Sequence, residues 1–439
     1  MRALTLAFLF LALPAAGQDL QQVYRDAKAY DAQFAAARYA LQAGLEKLPQ
    51  GRALLLPTIN ATASTTTNHL SIEPYGPNPV PASARPFYNR NYVLSLSQPL
   101  FRPQNWLQYN QAEQQVRQSE AVFGQAGQDL IVRVAQAYFD VLAAQDTLSL
   151  VGAQKAAISE QLAQAKRNFE VGTATITDTH EAQARFDLSS AQEISAQNDL
   201  DNKKKTLSQI VGKEYVQLRP LRAQVVLTPP NPTNMAEWVA LAEKQAYPVM
   251  IQEATTQISQ LQARIAGYGH YPTVDLVASY GQAEQTGSTT TATSAQLNTG
   301  VIGLQLAVPI YQGGAISSRE REAAANYEKS KQDLENARRT SVLQAQQSYL
   351  SVINGVAQVR ALEQALVSSQ SALDSNKLGY EVGVRINIDV LNAQQQLFST
   401  RRDLAVARYN TITSHLRLKA AAGSLRDEDV EEVNRALAQ

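Results

Sequence analysis

"FEVGTATITDT" at Phe169–Thr179 and "YEVGVRINIDV" at Tyr380–Val390 read almost alike, 211 residues apart. Each has an aromatic residue, then Glu-Val-Gly, then an Asp six residues past the Gly. Glycine suits the left-handed position just beyond a helix C-terminus. Gly172 and Gly383 therefore mark two places where a helix ends and the chain reverses. The likeness extends outward. Gln98-Pro99-Leu100-Phe101 matches Val308-Pro309-Ile310-Tyr311, and Ala135-Gln136-Ala137-Tyr138 matches Gln346-Gln347-Ser348-Tyr349. The chain is an internal duplication with a period of about 210 residues, a repeat that decides the fold.

Prolines map what lies between. Apart from Pro14, the 17 prolines fall at 49–103, at 220–248, and at 272 and 309. Proline breaks helix interiors, so the proline-free tracts predict two long helices, 104–171 and 314–382. Apolar residues recur there at spacings of three and four, as in Leu130, Val134, Ala137, Tyr138, Val141 and Leu142, forming a narrow, Ala-rich stripe. At 1.5 Å per residue each helix is about 100 Å long. Shorter helices are expected at 19–50 and 177–211, and at 234–270 and 386–422. In each half the two short helices together match the long one, so they can stack tip to tip beside it.

The proline-rich parts alternate with period two, the mark of strands. The stretches are 55–67, 91–101, 271–281 and 299–311, forming two hairpins with long polar tips at 69–87 and 283–296. The resulting organisation is a first repeat over 18–211 with its hairpin at 55–101, a linker at 212–233, a second repeat over 234–422 with its hairpin at 272–310, and a tail at 423–439. Residues 1–17 read as a secretory signal, with Arg2 ahead of an apolar run and Ala15-Ala16-Gly17 as the cleavage site. The fold class is an α+β membrane protein, internally duplicated.

Composition narrows function. The chain has 439 residues and no Cys, which removes disulfides, thiolate metal sites and cysteine nucleophiles. Charge is balanced, 39 basic residues against 39 acidic, so there is no nucleic-acid footprint. The four histidines, His69, His180, His270 and His415, are scattered without metal-ligand spacing. Gly313-Gly314 reads as a strand-to-helix turn, and no nucleophile has a base arranged beside it. The expectation is a protein without metal, cofactor or catalytic activity.

Four strands cannot close a barrel alone, and their edges would be exposed. A bilayer forbids that, since every backbone group must be paired. A dimer would give eight strands, plugged by their own side chains. A trimer gives twelve, wide enough for a lumen.

On the duplicated "EVG" turns, on "GYEVGVRINIDVLNAQQQLFSTRRDLAVARYN" (379–410) and on "KAAAGSLRDEDV" (419–430), the chain resembles the TolC family of outer-membrane export ducts. The resemblance implies a homotrimer with a twelve-stranded barrel in the outer membrane of a Gram-negative bacterium, in contact with its lipid. It implies a long α-helical tunnel in the periplasm, and an exit duct for type I protein secretion or multidrug efflux. It also implies docking to a periplasmic adaptor and an inner-membrane transporter at the turns Val171, Gly172, Val382 and Gly383. The missing Cys leans towards the TolC branch over lipid-anchored relatives. A periplasmic gate is implied at Thr177 and Asp178 of the first repeat and at Tyr380 and Arg385 of the second. The resemblance also implies two lumen-facing acidic rings. Asp389 matches one, and Asn392 stands at the other.

The same residues have plainer readings. Asp178-Thr179-His180-Glu181 has the form of a capping box with Asp178 at the N-cap, and Asp389 could cap likewise. Arg385 could be a solvated charge, and Tyr380 a packing aromatic like Phe169. The alternative function is a non-conducting periplasmic coiled-coil scaffold or adaptor, against which the alternating strands argue.

Overall fold

A computed structural model describes residues 17–77, 81–222, 225–289 and 291–438. The secretory signal read at 1–17 lies, apart from Gly17, outside the described residues. In chain order the elements are α1 (Leu20–Tyr30), α2 (Ala32–Leu45), α3 (Lys47–Ala53), β1 (Thr58–Ile72), β2 (Ser83–Phe101), α4 (Pro103–Glu170) and α5 (Ile176–Val211). There follow α6 (Met235–Gln245), α7 (Tyr247–Gly267), a 3₁₀ turn (Tyr268–His270), β3 (Thr273–Gln285), β4 (Ala295–Ala307), α8 (Ala315–Glu381), α9 (Asn387–Ala421) and α10 (Asp427–Arg435). Two compact units emerge. One comprises Leu41–Glu120 with Ile251–Glu335; the other comprises the described residues up to Ala40, Ala121–Met250 and Asn336 onward.

The long helices run unbroken for 68 and 67 residues. Pro103 opens α4 at its first position, where the missing N–H costs nothing. The helices expected at 19–50 and 234–270 are each interrupted. Asp31 turns extended (ψ 118°) between α1 and α2, and its carboxylate accepts the Phe34 N–H at 2.7 Å. Arg133 on α4 then grips that carboxylate with two hydrogen bonds of 3.0 Å. Ala246 is extended between α6 and α7 (ψ 129°). A helix continuing through it would drive the Pro248 ring into the carbonyl of Lys244.

In the first unit the four strands form one antiparallel sheet in the order β1-β2-β3-β4. The strands differ from the expected hairpins. β1 and β2 run on to Ile72 and start from Ser83, while β4 stops at Ala307, short of Pro309. The added residues, such as Asn68, His69, Asn89 and Arg90, are polar, so hydropathy hides them, but the backbone ladder continues regardless of side chain. At the foot of the sheet Arg102 donates Nε to Oδ1 of Asp275 at 2.8 Å and Nη2 to Oδ2 at 2.5 Å. This bidentate pair is directional as well as strong, and it fastens the end of β2 to the start of β3.

In the second unit the core centres on α4. The expected stripe was narrow, but Ile131, Ala135 and Phe139 are buried as well as Leu130, Val134, Tyr138, Val141 and Leu142. They share one core with α1 (Leu20, Val23, Ala27), the segment after α5 (Leu218), α9 (Tyr409, Ile412, Leu416) and the tail (Leu425, Val430, Leu437). Tyr138 is fully buried, and its hydroxyl donates to the Arg219 carbonyl at 2.8 Å, with the Gln18 carbonyl at 3.1 Å. Two isolated bridges, Gln18 with Leu218 and Leu221 with Leu437, tie the chain start, linker and tail together. Tyr24 and Lys28 both reach Asp427 on α10, at 2.8 and 2.9 Å. On the other side of α4, Tyr409 stacks on Phe139 at 5.6 Å and donates to Asp146 at 2.6 Å. Burial pushes the Asp146 carboxyl above the usual range, opposed by that hydrogen bond.

Candidate functional site

The sheet has two unlike faces. Directly opposed residues of an antiparallel pair share a face. The register aligns Ile59 with Leu96, Ala278 and Ile302, and Ala61 with Leu94, Tyr280 and Gly300. Leu304 and Leu306 extend the same face on β4. Ile302 and Leu304 are 78% and 69% exposed, although large and aliphatic. The opposite face is mostly polar: Thr58, Asn60, Thr62 and Ser64 on β1, Asn91, Ser95 and Ser97 on β2, Ser279 on β3 and Thr299 and Gln305 on β4, with Val93, Val277, Val301 and Leu297 among them. Apolar residues on one face and polar residues on the other are the pattern of a wall between lipid and water. Beyond the apolar band on the same face, Arg90 and Glu284 sit 3.8 Å apart. Among the described residues each outer strand, β1 and β4, has one edge unpaired. No helix among the described residues is long and apolar enough to cross a membrane.

The two glycine turns are built alike. Gly172 has φ +80° and Gly383 φ +78°. In the first, the N–H groups of Thr173 and Ala174 both close on the Asn168 carbonyl, at 2.8 and 3.2 Å. In the second, Val384 and Arg385 close on the Gly379 carbonyl at 2.8 and 3.0 Å. No atom lies within 4 Å of where a Cβ would stand on either glycine, so the positive φ alone demands glycine there. Val171 and Val382 beside them are 73% and 65% exposed.

The helices leaving the turns begin differently. The capping box is not the one expected at Asp178 and Glu181. Thr175 is the N-cap of α5 and Asp178 stands at its third position. The Asp178 carboxylate accepts from the Thr175 N–H at 3.0 Å and from its hydroxyl at 2.8 Å. Thr175 supplies the hydroxyl the frayed end needs and starts the helix one turn earlier. In the second repeat the equivalent N-cap is Ile386, which has no side-chain acceptor. Asp389 is therefore not a cap either, and it sits 3.6 Å from Arg385 on the preceding turn. Ala174 is the first-repeat counterpart of Arg385. The mismatch frees one carboxylate and adds one cation.

Among the described residues of one chain, Thr177, Asp178, Tyr380 and Arg385 make no hydrogen bonds to one another. Tyr380 instead accepts from the Asn168 amide at 3.2 Å, linking the two turns. Deeper in, the Gln161 amide donates to Asn387, which is 1% exposed, at 2.5 Å. Arg185 on α5 reaches α9, donating to Asn392 at 2.9 Å and also to Gln395. Sequence reasoning passed over Asn168, Gln161, Asn387 and Arg185. Asn168, Gln161 and Arg185 lie outside the duplicated phrase and Asn387 inside it, but all have partners more than 200 residues away.

A sheet with one lipid-facing side, joined in sequence to unbroken helices with reversed tips, defines a subunit of an outer-membrane channel. The outer membrane efflux protein family matches residues 23–213 and 239–424, one stretch in each half. The chain is 34% identical over 422 residues to outer membrane protein TolC of Vibrio cholerae, covering 96% of this chain and 94% of that one. It is 30% identical over 408 residues to the proteases secretion protein PrtF of Dickeya chrysanthemi, covering 92% and 87%. The crystal structure of outer membrane protein VceC from Vibrio cholerae shares the fold, with a TM-score of 0.77 at 19% identity over 92% of this chain and 96% of that one. The chain belongs to the outer membrane efflux protein family.

Proposed function

We propose that three copies of this chain form an outer-membrane exit duct for protein secretion and efflux. The carrying observation is the sheet: one apolar face, one polar face, and two unpaired edges that only neighbouring copies can satisfy inside a bilayer. Three such sheets make twelve strands around a polar lumen. A family of efflux proteins and a relative named for protease secretion support the two cargo classes. The duct is passive: the chain supplies a path, and an inner-membrane transporter supplies the work. The organisation is a signal at 1–17, two repeats at 18–211 and 234–422, and connecting segments at 212–233 and 423–439.

In this reading the exposed turns at Val171, Gly172, Val382 and Gly383 receive a periplasmic adaptor. Thr177, Asp178, Tyr380 and Arg385 form a gate. Since they do not bond to one another within one chain, their lock lies across the boundary with a neighbouring copy. Asp389 lines the constriction as a single acidic ring, partly neutralised by Arg385.

Planar-bilayer recording of the purified protein tests the duct: discrete conductance is expected, and its absence under all conditions sinks the proposal. Asp389→Asn should weaken block by multivalent cations, because three negative charges leave the constriction. Arg385→Ser should raise conductance and strengthen that block, since it opens the gate and uncovers Asp389. Equal block in wild type and Asp389→Asn would remove the ring from this account.

A further inference from the structure

Among the described residues Thr177 and Asp178 have no hydrogen-bond partner on α9, yet α5 and α9 meet near the tip: Ala182 and Phe186 on α5 share an apolar cluster with Leu391 on α9, and one side chain adds hydrogen bonds beside it. Arg185 lies seven residues beyond Asp178 on α5. Its Nη2 donates to Oδ1 of Asn392 at 2.9 Å and its Nη1 to Oε1 of Gln395. Asn392 and Gln395 are three residues apart and so stand on one side of α9. The planar fork of a guanidinium spans two such acceptors, which the single ammonium of a lysine cannot reproduce. Among the described residues, Arg185 makes all the side-chain hydrogen bonds that link α5 to α9. Two carboxylates of the tip are engaged locally: Asp178 on Thr175, and Asp389 beside Arg385.

The identity of residue 392 matters here. An Asp at 392 would take Arg185 as an ion pair and add a negative charge to the constriction. Asn392 accepts the same hydrogen bond while adding none. The position serves as an acceptor for α5.

We propose that Arg185 is a positioning residue of the periplasmic tip: its fork onto Asn392 and Gln395 holds α5 to α9 inside each protomer and keeps the constriction narrow. The inference rests on the duct reading. It differs from the gate assigned above, whose contacts lie between copies, because this latch is complete within one chain.

The test is single-channel conductance in planar bilayers for wild type, Arg185→Ala, Arg185→Lys, Asn392→Leu and the Arg185→Ala/Asn392→Leu double variant, with trimer content checked by gel filtration. Arg185→Ala should raise conductance at least twofold, and Arg185→Lys should not restore the wild-type value. Asn392→Leu should act in the same direction, and the double variant should add little to either single change. Wild-type conductance in both Arg185→Ala and Asn392→Leu overturns the latch, as does full rescue by lysine or simple additivity in the double variant. If Arg185→Ala yields no trimer, Asn392→Leu breaks the same contact from the other side and decides the matter. Failure of the duct reading is distinguishable, because then wild type and every variant alike show no current.

Discussion

Leu304→Arg is expected to abolish assembly in the membrane, while Gln305→Arg next to it is tolerated. Leu304 is the middle of the three large apolar residues on the lipid-facing side of β4, between Ile302 and Leu306. Arginine at the middle of the bilayer costs about 2–4 kcal/mol on a barrel surface. Three copies bring this to about 6–12 kcal/mol per trimer, comparable with the whole stability of an ordinary domain. Gln305 points to the polar face, where a further cation meets water. Both residues are exposed in the single chain, so accessibility alone does not separate them. The amount of trimer in outer-membrane fractions measures the difference. Equal tolerance of the two substitutions would mean that the faces are assigned wrongly.

Arg133→Ala is expected to destabilise the helical unit by about 3 kcal/mol per copy, the range for stranding one member of a buried ion pair. The Asp31 side chain is only 7% exposed, and Arg133 is its charged partner. That carboxylate also caps α2 through Phe34, so it has to stay in place when its partner is lost. Arg133→Lys should recover less than half of the loss, since one ammonium cannot make both bonds. The hydrogen bonds from Arg133 hold the Asp31 carboxyl below its ordinary value. Its folded pKa is therefore lower than its unfolded one. The stabilisation is present above the unfolded value of about 4 and fades as pH falls through the folded value. The gap between wild type and Arg133→Ala, measured by urea unfolding followed by circular dichroism, should be full at pH 7 and shrink below about pH 4. A gap that grows with acid would refute the pairing.

Much of the architecture was legible because it follows from local rules. Proline's missing N–H and fixed ring put α4 and α8 where no proline stands. The positive φ at Gly172 and Gly383 follows from steric freedom that other residues lack. Alternation located all four strands. Their full length was hidden, because residues beyond the expected ends, such as Asn68, His69, Asn89 and Arg90, are polar and look like loop by composition. At the turns the chemistry of Asp178 as a capping carboxylate was visible, but its position was three residues off. Thr175 competed for the same role, and nothing in the local pattern ranked the two. The break at Asp31 was invisible for a different reason. The residue that rewards it, Arg133, is 102 positions further along.

The sequence by itself determined the duplication, which shows as a repeated string, and the two long helices, the two reversals and the strands, since each of these depends on residues a few positions apart. Tertiary structure alone decided which acceptor each distant cation meets. Arg102 found Asp275 across 173 residues, Arg133 found Asp31 across 102, and Arg185 found the neutral Asn392 across 207. Such pairings depend on which helix faces and strands meet in space. Two copies of nearly the same phrase carry no record of that, so a near-identical tip could become a capping box in one repeat and a free charged pair in the other.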